Sequence, residues 1–231
     1  NIAFRIPNLV RDLFGEGAMS AAFVPTFTRT LALEGRQRAW RLGNLVVNAL
    51  LLATGVIAAA GMVFAEPLAT AFASAYAEVP GKLELTVTLT RVMFPFLALV
   101  AVATALMGML NSLQRFFIPA VSPAMFNVGS IVCTLGLAPV MPMLGWPVIM
   151  APAIGVLVGG FGQMAVQWPA LRREGFRYRP IVDFSDPGLR QILVLMGPGV
   201  AGLAAVQVNL LVTTFLAARE GTGAVTWLGF A

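Results

Sequence analysis

The sequence predicts an all-α, polytopic transmembrane helix bundle, and three observations predict it. Apolar residues make up 58% of the 231-residue chain and charged residues only 11%, against about 25% charged in an ordinary soluble domain. The apolar residues gather in runs of about 20, enough to cross a hydrocarbon core roughly 30 Å thick at about 1.5 Å per residue. The loops between those runs alternate in basic charge, the pattern that orients a multi-pass chain.

Taken in order, the first segment, residues 2–33, is apolar but broken by Pro7, Gly15, Gly17 and Pro25, and it carries Arg5, Arg11, Asp12 and Glu16. A polar stretch follows at 34–41, then a clean span at 44–65. A weakly amphipathic connection, 66–84, contains the helix breaker Pro80-Gly81. Further spans are expected at 85–110, 118–140 and 147–171. A long polar connection, 172–190, has turn signals at Asp186-Pro187-Gly188. A sixth span runs over 191–218, and a seventh starts near 222. The chain opens on Asn1 and stops at Ala231 inside an apolar stretch, so it reads as a fragment of a longer protein.

Loop charges assign the two sides. One side receives Arg29, Arg36, Arg38 and Arg41, then Arg115, then Arg172, Arg173, Arg177, Arg179 and Arg190. The other receives Lys82 and Arg219 against Glu66, Glu78, Glu84 and Glu220. The basic loops are therefore expected in the cytoplasm. This topology also accounts for the net charge of +5, and no aromatic-interleaved basic face points to nucleic acid.

Histidine is absent and Cys133 is the single cysteine, set between Val132 and Thr134 in an apolar run. Zinc sites, disulfides, Cys-His nucleophiles and histidine acid/base chemistry are thereby excluded, and no cofactor is expected. Cys133 reads as a small packed residue.

The strongest functional signal is charge inside the first segment. A charged side chain near the middle of a span costs about 2.5–3.5 kcal/mol and normally faces a bundle interior or a wet cavity. At about 100° per residue, Arg5, Asp12 and Glu16 share a stripe, with Arg11 about 100° round from Asp12. The bland alternative is that some of these groups snorkel to the surface or pair with one another. The small-residue run Gly155, Gly159, Gly160 and Gly162 suits close helix approach. In the sixth span, Gly197, Pro198 and Gly199 mark a kink or a hinge, since proline removes a backbone hydrogen bond and glycine eases bending. Gln207 and Asn209, farther along that span, read as helix–helix hydrogen-bonding amides. No internal repeat is evident.

The stretch Arg5-Ile-Pro-Asn-Leu-Val-Arg11-Asp-Leu-Phe-Gly-Glu16-Gly-Ala-Met-Ser-Ala-Ala-Phe-Val-Pro25 resembles the second transmembrane segment of the MurJ/MviN family of lipid-linked-oligosaccharide flippases. Leu110-Asn-Ser-Leu-Gln-Arg115-Phe-Phe-Ile-Pro119-Ala, continuing to Pro123 and Asn127, is similar to a second family block. Met196-Gly197-Pro198 with Gly223-Ala-Val-Thr-Trp227 is similar to a third. The resemblance implies the fourteen-helix, two-lobed fold of the multidrug/oligosaccharidyl-lipid/polysaccharide exporter superfamily. Residues 1–188 would be a partial N-terminal lobe, holding helices 2–6 and a cytoplasmic loop. Residues 189–231 would begin the C-terminal lobe.

The family translocates lipid II, the undecaprenyl-pyrophosphate-linked peptidoglycan precursor, across the bacterial inner membrane by alternating access through a cationic cavity. By resemblance, Arg11 matches a cavity arginine and Glu16 a nearby acidic residue, and Thr226 falls where the family often has serine. Asp12 replaces a residue that is commonly basic. These four are the expected substrate-binding residues, in a transporter rather than an enzyme. The expected partners are the glycolipid and membrane lipids, with a coupling ion or the membrane potential as energy source. The competing expectations are a polysaccharide-repeat flippase or cation-coupled drug exporter, and a membrane enzyme acting on polyprenyl phosphates.

Overall fold

The computed structural model describes residues 18–72 and 81–199, with 201, 202 and 205. Its elements are α1 (Ala18–Leu33), α2 (Gly35–Val63), α3 (Ala65–Phe72), α4 (Lys82–Met93), α5 (Phe96–Ser112), α6 (Phe117–Leu137), a 3-10 turn (Pro142–Leu144) and α7 (Met150–Arg173). A further helix, α8, starts at 187 and continues through 199. Among the described residues, four stretches are long and apolar enough to cross a membrane: Gly35–Val63, Leu83–Ser112, Phe117–Leu137 and Met150–Arg173. The chain is an all-α, multi-pass membrane bundle, as its composition predicts.

Helix boundaries differ from expectation at several points. The polar stretch 34–41 is not a loop, because its charged residues form the first turns of α2 and continue directly into the apolar span. Pro25 does not break the first segment but sits inside α1. Its ring lies on an exposed face, as does Ala21, whose carbonyl it leaves without the usual intrahelical donor, and membrane helices tolerate such a proline. The expected span 85–110 is present as the single stretch Leu83–Ser112, marked by a turn at Phe94-Pro95 between α4 and α5, where Pro95 has no N–H to offer the Arg91 carbonyl. The turn Asp186-Pro187-Gly188 in turn proves to be the start of α8, with proline at the first helical position, where a missing N–H costs nothing.

Packing centres on α1, α2 and α5. Phe23 and Phe27 of α1, Leu42 and Leu45 of α2, and Leu106, Met109 and Leu110 of α5 are almost wholly buried. They form one cluster with Leu171 of α7, Phe176, and Leu189, Ile192 and Met196 of α8. Glycine admits the bulkiest of these contacts. A Cβ at Gly43 would lie 2.6 Å from the Met109 sulfur, and one at Gly108 would lie 2.7 Å from the Phe23 ring.

The α6–α7 pair closes on the small-residue run noted in the sequence. A Cβ at Gly155 would meet the Ser130 carbonyl oxygen at 2.7 Å, and one at Gly159 the Phe126 carbonyl oxygen at 2.5 Å. Deeper in the same seam, Gln167 is fully buried and donates to the Ser122 hydroxyl at 2.7 Å. The opposite face of α6 exposes Val128, Ile131, Val132 and Leu135, an apolar surface suited to lipid tails. Cys133 lies half-buried on this helix.

Candidate functional site

Arg11, Asp12, Glu16 and Thr226, the residues expected to touch substrate, lie outside the described residues, as do Gln207 and Asn209. Of the sequence-derived site residues, Gly197, Pro198 and Gly199 are described. Helix α8 continues through all three, with Gly197 and Pro198 exposed and open space where a Gly197 side chain would project. The helix entering from the charged segment is held firmly: Met19, Phe23 and Phe27 anchor α1 in the core.

The structure brings together the charged groups at the basic end of the bundle. Glu174, just past α7, takes Arg115 Nε at 2.8 Å and Arg36 Nη2 at 3.8 Å. The three basic loops assigned to one side by charge counting therefore meet at one end.

Residues 174–186 form a strap that runs across α2, and its register is set by two buried amides. Asn44 Nδ2 donates to the carbonyls of Trp40 and Arg177 at 2.9 and 3.0 Å, while Asn44 Oδ1 accepts the Arg179 N–H at 2.7 Å. One turn farther along, Asn48 Nδ2 donates to the carbonyls of Arg179 and Ile181 at 2.8 and 3.0 Å, and Asn48 Oδ1 accepts the Tyr178 hydroxyl at 2.6 Å. The two asparagines thus serve the strap as a neighbouring strand would, satisfying backbone groups that would otherwise be stranded against an apolar helix.

Aromatic rings continue the anchoring. Phe23, Phe27, Trp40 and Phe176 follow one another at centroid separations of 5.3, 5.9 and 5.5 Å. Trp168 meets Phe176 edge-on at 6.0 Å and Tyr178 at 6.3 Å. Tryptophan and tyrosine favour the membrane–water boundary, which puts the strap at headgroup depth.

Two ion pairs fasten the strap's far end. Arg41 Nη2 lies 3.1 Å from Asp183 Oδ2, and Arg38 Nη1 lies 2.6 Å from Asp186 Oδ2. Asp186 also caps α8, its Oδ1 accepting the N–H groups of Gly188 and Leu189 at 3.0 and 3.3 Å. Burial pushes its carboxyl pKa up, but the Arg38 hydrogen bond, the two backbone N–H groups and the Arg38 charge outweigh that and hold it below the usual carboxylate value. One side chain thereby ties the start of α8 to the start of α2.

Sequence reading did not single out Asn44 and Asn48. The available signal was an asparagine pair one turn apart at the head of an apolar helix, which places both amides on one face.

The structure described is a membrane helix bundle, and comparison with known proteins gives it a family. The family model described as "Lipid II flippase MurJ" matches residues 1–231. A protein named "Lipid II flippase MurJ" from Burkholderia cenocepacia is 32% identical over 234 residues, covering 100% of this chain and 45% of the relative. Proteins named "Probable lipid II flippase MurJ" from Bdellovibrio bacteriovorus and Rhizobium meliloti are each 34% identical over 233 residues. They cover 99% and 100% of this chain and 43% of each relative. The chain therefore spans a little under half the length of these relatives. Matched along its entire length, the chain belongs to the lipid II flippase MurJ family.

Proposed function

We propose that this chain works in a flippase that carries lipid II from the cytoplasmic to the periplasmic leaflet of the bacterial inner membrane by alternating access, supplying peptidoglycan synthesis. The observation that carries this reading is the correspondence with the flippase family from residue 1 to residue 231. In it, Arg11 handles the pyrophosphate, because a guanidinium stays charged in a low-dielectric cavity and makes bidentate, charge-assisted bonds to phosphate oxygens. Glu16, Asp12 and Thr226 border the same cavity, and Gly197-Pro198-Gly199 flexes as the lobes rock. Residues 1–188 contribute to the first lobe and 189–231 begin the second. The chemistry is movement without bond cleavage, so no catalytic residue is assigned.

The test is rescue of cells depleted of their native flippase by the full-length protein carrying Arg11→Ala or Arg11→Lys, with membrane abundance measured in parallel. Alanine should abolish rescue at normal abundance, and lysine, which keeps the charge but loses the planar fork, should support it poorly. Lipid II should accumulate on the inner leaflet when rescue fails. Full rescue by Arg11→Ala would remove this arginine from the substrate path. Phosphate release from a polyprenyl-pyrophosphate would point instead to an enzyme.

A further inference from the structure

The strap and α2 enclose a groove of about 510 Å³ whose lining includes Glu34, Gln37, Trp40, Arg41, Arg177 and Arg179. Its charges are unevenly matched. Arg38, also in the wall, holds Glu34 at 3.3 Å and Asp186 at 2.6 Å, and Arg41 holds Asp183 at 3.1 Å. Every acidic group near the groove is thus engaged, while Arg177 and Arg179 form no ion pair among the described residues.

These two guanidinium groups are not strewn along a loose loop. They alternate with Tyr178, and the Asn44 and Asn48 bonds to the 177, 179 and 181 backbone hold the alternation in place. Arg177 and Arg179 both line this groove, and Arg177 also borders the neighbouring cavity that Tyr178 lines beside Trp168 and Arg172. Positive-inside charge needs only that arginines be in the loop; it does not need buried amides that fix the backbone of two of them against one groove.

We propose that this groove is a binding site for a phosphate group at the membrane surface, with Arg177 and Arg179 as its bidentate ligands. Guanidinium forks match phosphate oxygens in pairs, and the Trp40, Trp168 and Tyr178 rings set the groove at headgroup depth. The phosphate can arrive on an anionic phospholipid or as a free anion. The site is separate from Arg11 and is read out by binding, so its failure would leave the flippase reading standing.

The experiment uses the full-length protein in detergent, titrated with phosphatidylglycerol or with inorganic pyrophosphate and followed by native mass spectrometry. The variants are Arg177→Ala/Arg179→Ala, Arg177→Lys/Arg179→Lys, and Arg173→Ala/Arg190→Ala, which removes the same charge away from the groove. The alanine pair at the groove should weaken binding at least about tenfold relative to the charge-matched control, with the lysine pair in between. Both groove side chains are exposed and their backbone bonds are untouched, so the variants should keep their melting temperatures. Loss of phosphatidylglycerol binding alone identifies a lipid headgroup as the source, and loss of pyrophosphate binding alone identifies a free anion. Equal weakening in groove and control variants would mean diffuse attraction to basic loops and would overturn the proposal, as would binding unaffected by either pair. Should the alanine pair fail to accumulate, lysine-pair binding equal to wild type would overturn the proposal as well.

Discussion

Asn44 is 2% exposed and Asn48 5% exposed, and between them they make six hydrogen bonds, five of them to the strap. Replacing Asn44 by alanine removes the partners of the Arg177 carbonyl and the Arg179 N–H and leaves both facing an apolar helix. Unsatisfied buried groups of this kind cost about 1–3 kcal/mol each. Asn44→Ala should therefore lower the melting temperature, and it should also make the strap's arginines more susceptible to trypsin in the detergent-solubilised protein. Unchanged cleavage at Arg177 and Arg179 would show that the strap is held by its ion pairs alone. Nothing local in the sequence announces this role. An asparagine in an apolar run reads equally well as a helix–helix contact, and the partner backbone lies more than 130 positions away in the chain. The acidic residues of the strap were half legible: Asp186 was readable as turn chemistry from the following proline and glycine, but its bond to Arg38 was not.

Helix seams were easier to read than helix ends. The spacing of Gly155 and Gly159 places them on one face of a helix, and the structure uses that face against α6. Valine at 159 would drive its side chain into the Phe126 carbonyl and the Ser130 hydroxyl, neither of which is the movable end of a long side chain. Gly159→Val should destabilise the bundle by about 1–3 kcal/mol, as overpacking does. Gly136→Val on α6, where a Cβ meets nothing within 4 Å, should cost much less, and thermal denaturation of the pair checks the difference. The joint between α2 and α8 carries a pH dependence of known sign. Since the folded-state carboxyl of Asp186 lies below its ordinary value, its contribution is fully present above the unfolded pKa of about 3.9 and is lost as pH falls through the lower, folded value. The melting-temperature gap between wild type and Asp186→Asn should hold from neutral pH down to about 4 and narrow below it. A gap that closed near neutral pH would contradict the assignment. Helix ends resisted sequence reading because polar residues at 34–41 suit a loop or a helix start equally, and because a proline such as Pro25 can sit inside a membrane helix without ending it.

Among the described residues, hydropathy alone located the spans to within a few residues at most ends, because a bilayer demands continuous apolar length whatever the tertiary packing; most of the expected span 191–218 and all of the one from 222 lie outside the described residues. The grouping of the basic loops was equally legible, and the contacts of Arg36 and Arg115 with Glu174 place those loops at a common end. At the other end, Arg91 donates to the Met62 carbonyl at 3.2 Å, and Met141 and Met150 flank the 3-10 turn in a small cluster with Ala151. The side each end faces is the remaining question, and it follows from charge. Moving the strap's arginines across a membrane is disfavoured, so the 34–41 and 172–190 regions should be cytoplasmic, and the 66–84 connection and the Gly145 turn periplasmic. Single-cysteine variants of the full-length protein on a Cys133→Ser background test this with an impermeant thiol reagent applied to intact cells. Position 176 is a poor reporter, because Phe176 is 1% exposed between Trp40 and Trp168. Ser185 is exposed within the strap, and Met143 is 84% exposed at the opposite turn. Met143→Cys should label from outside, and Ser185→Cys only after the cells are permeabilised. Labelling of Ser185→Cys in intact cells would invert the topology and with it the leaflet from which the basic groove draws its phosphate.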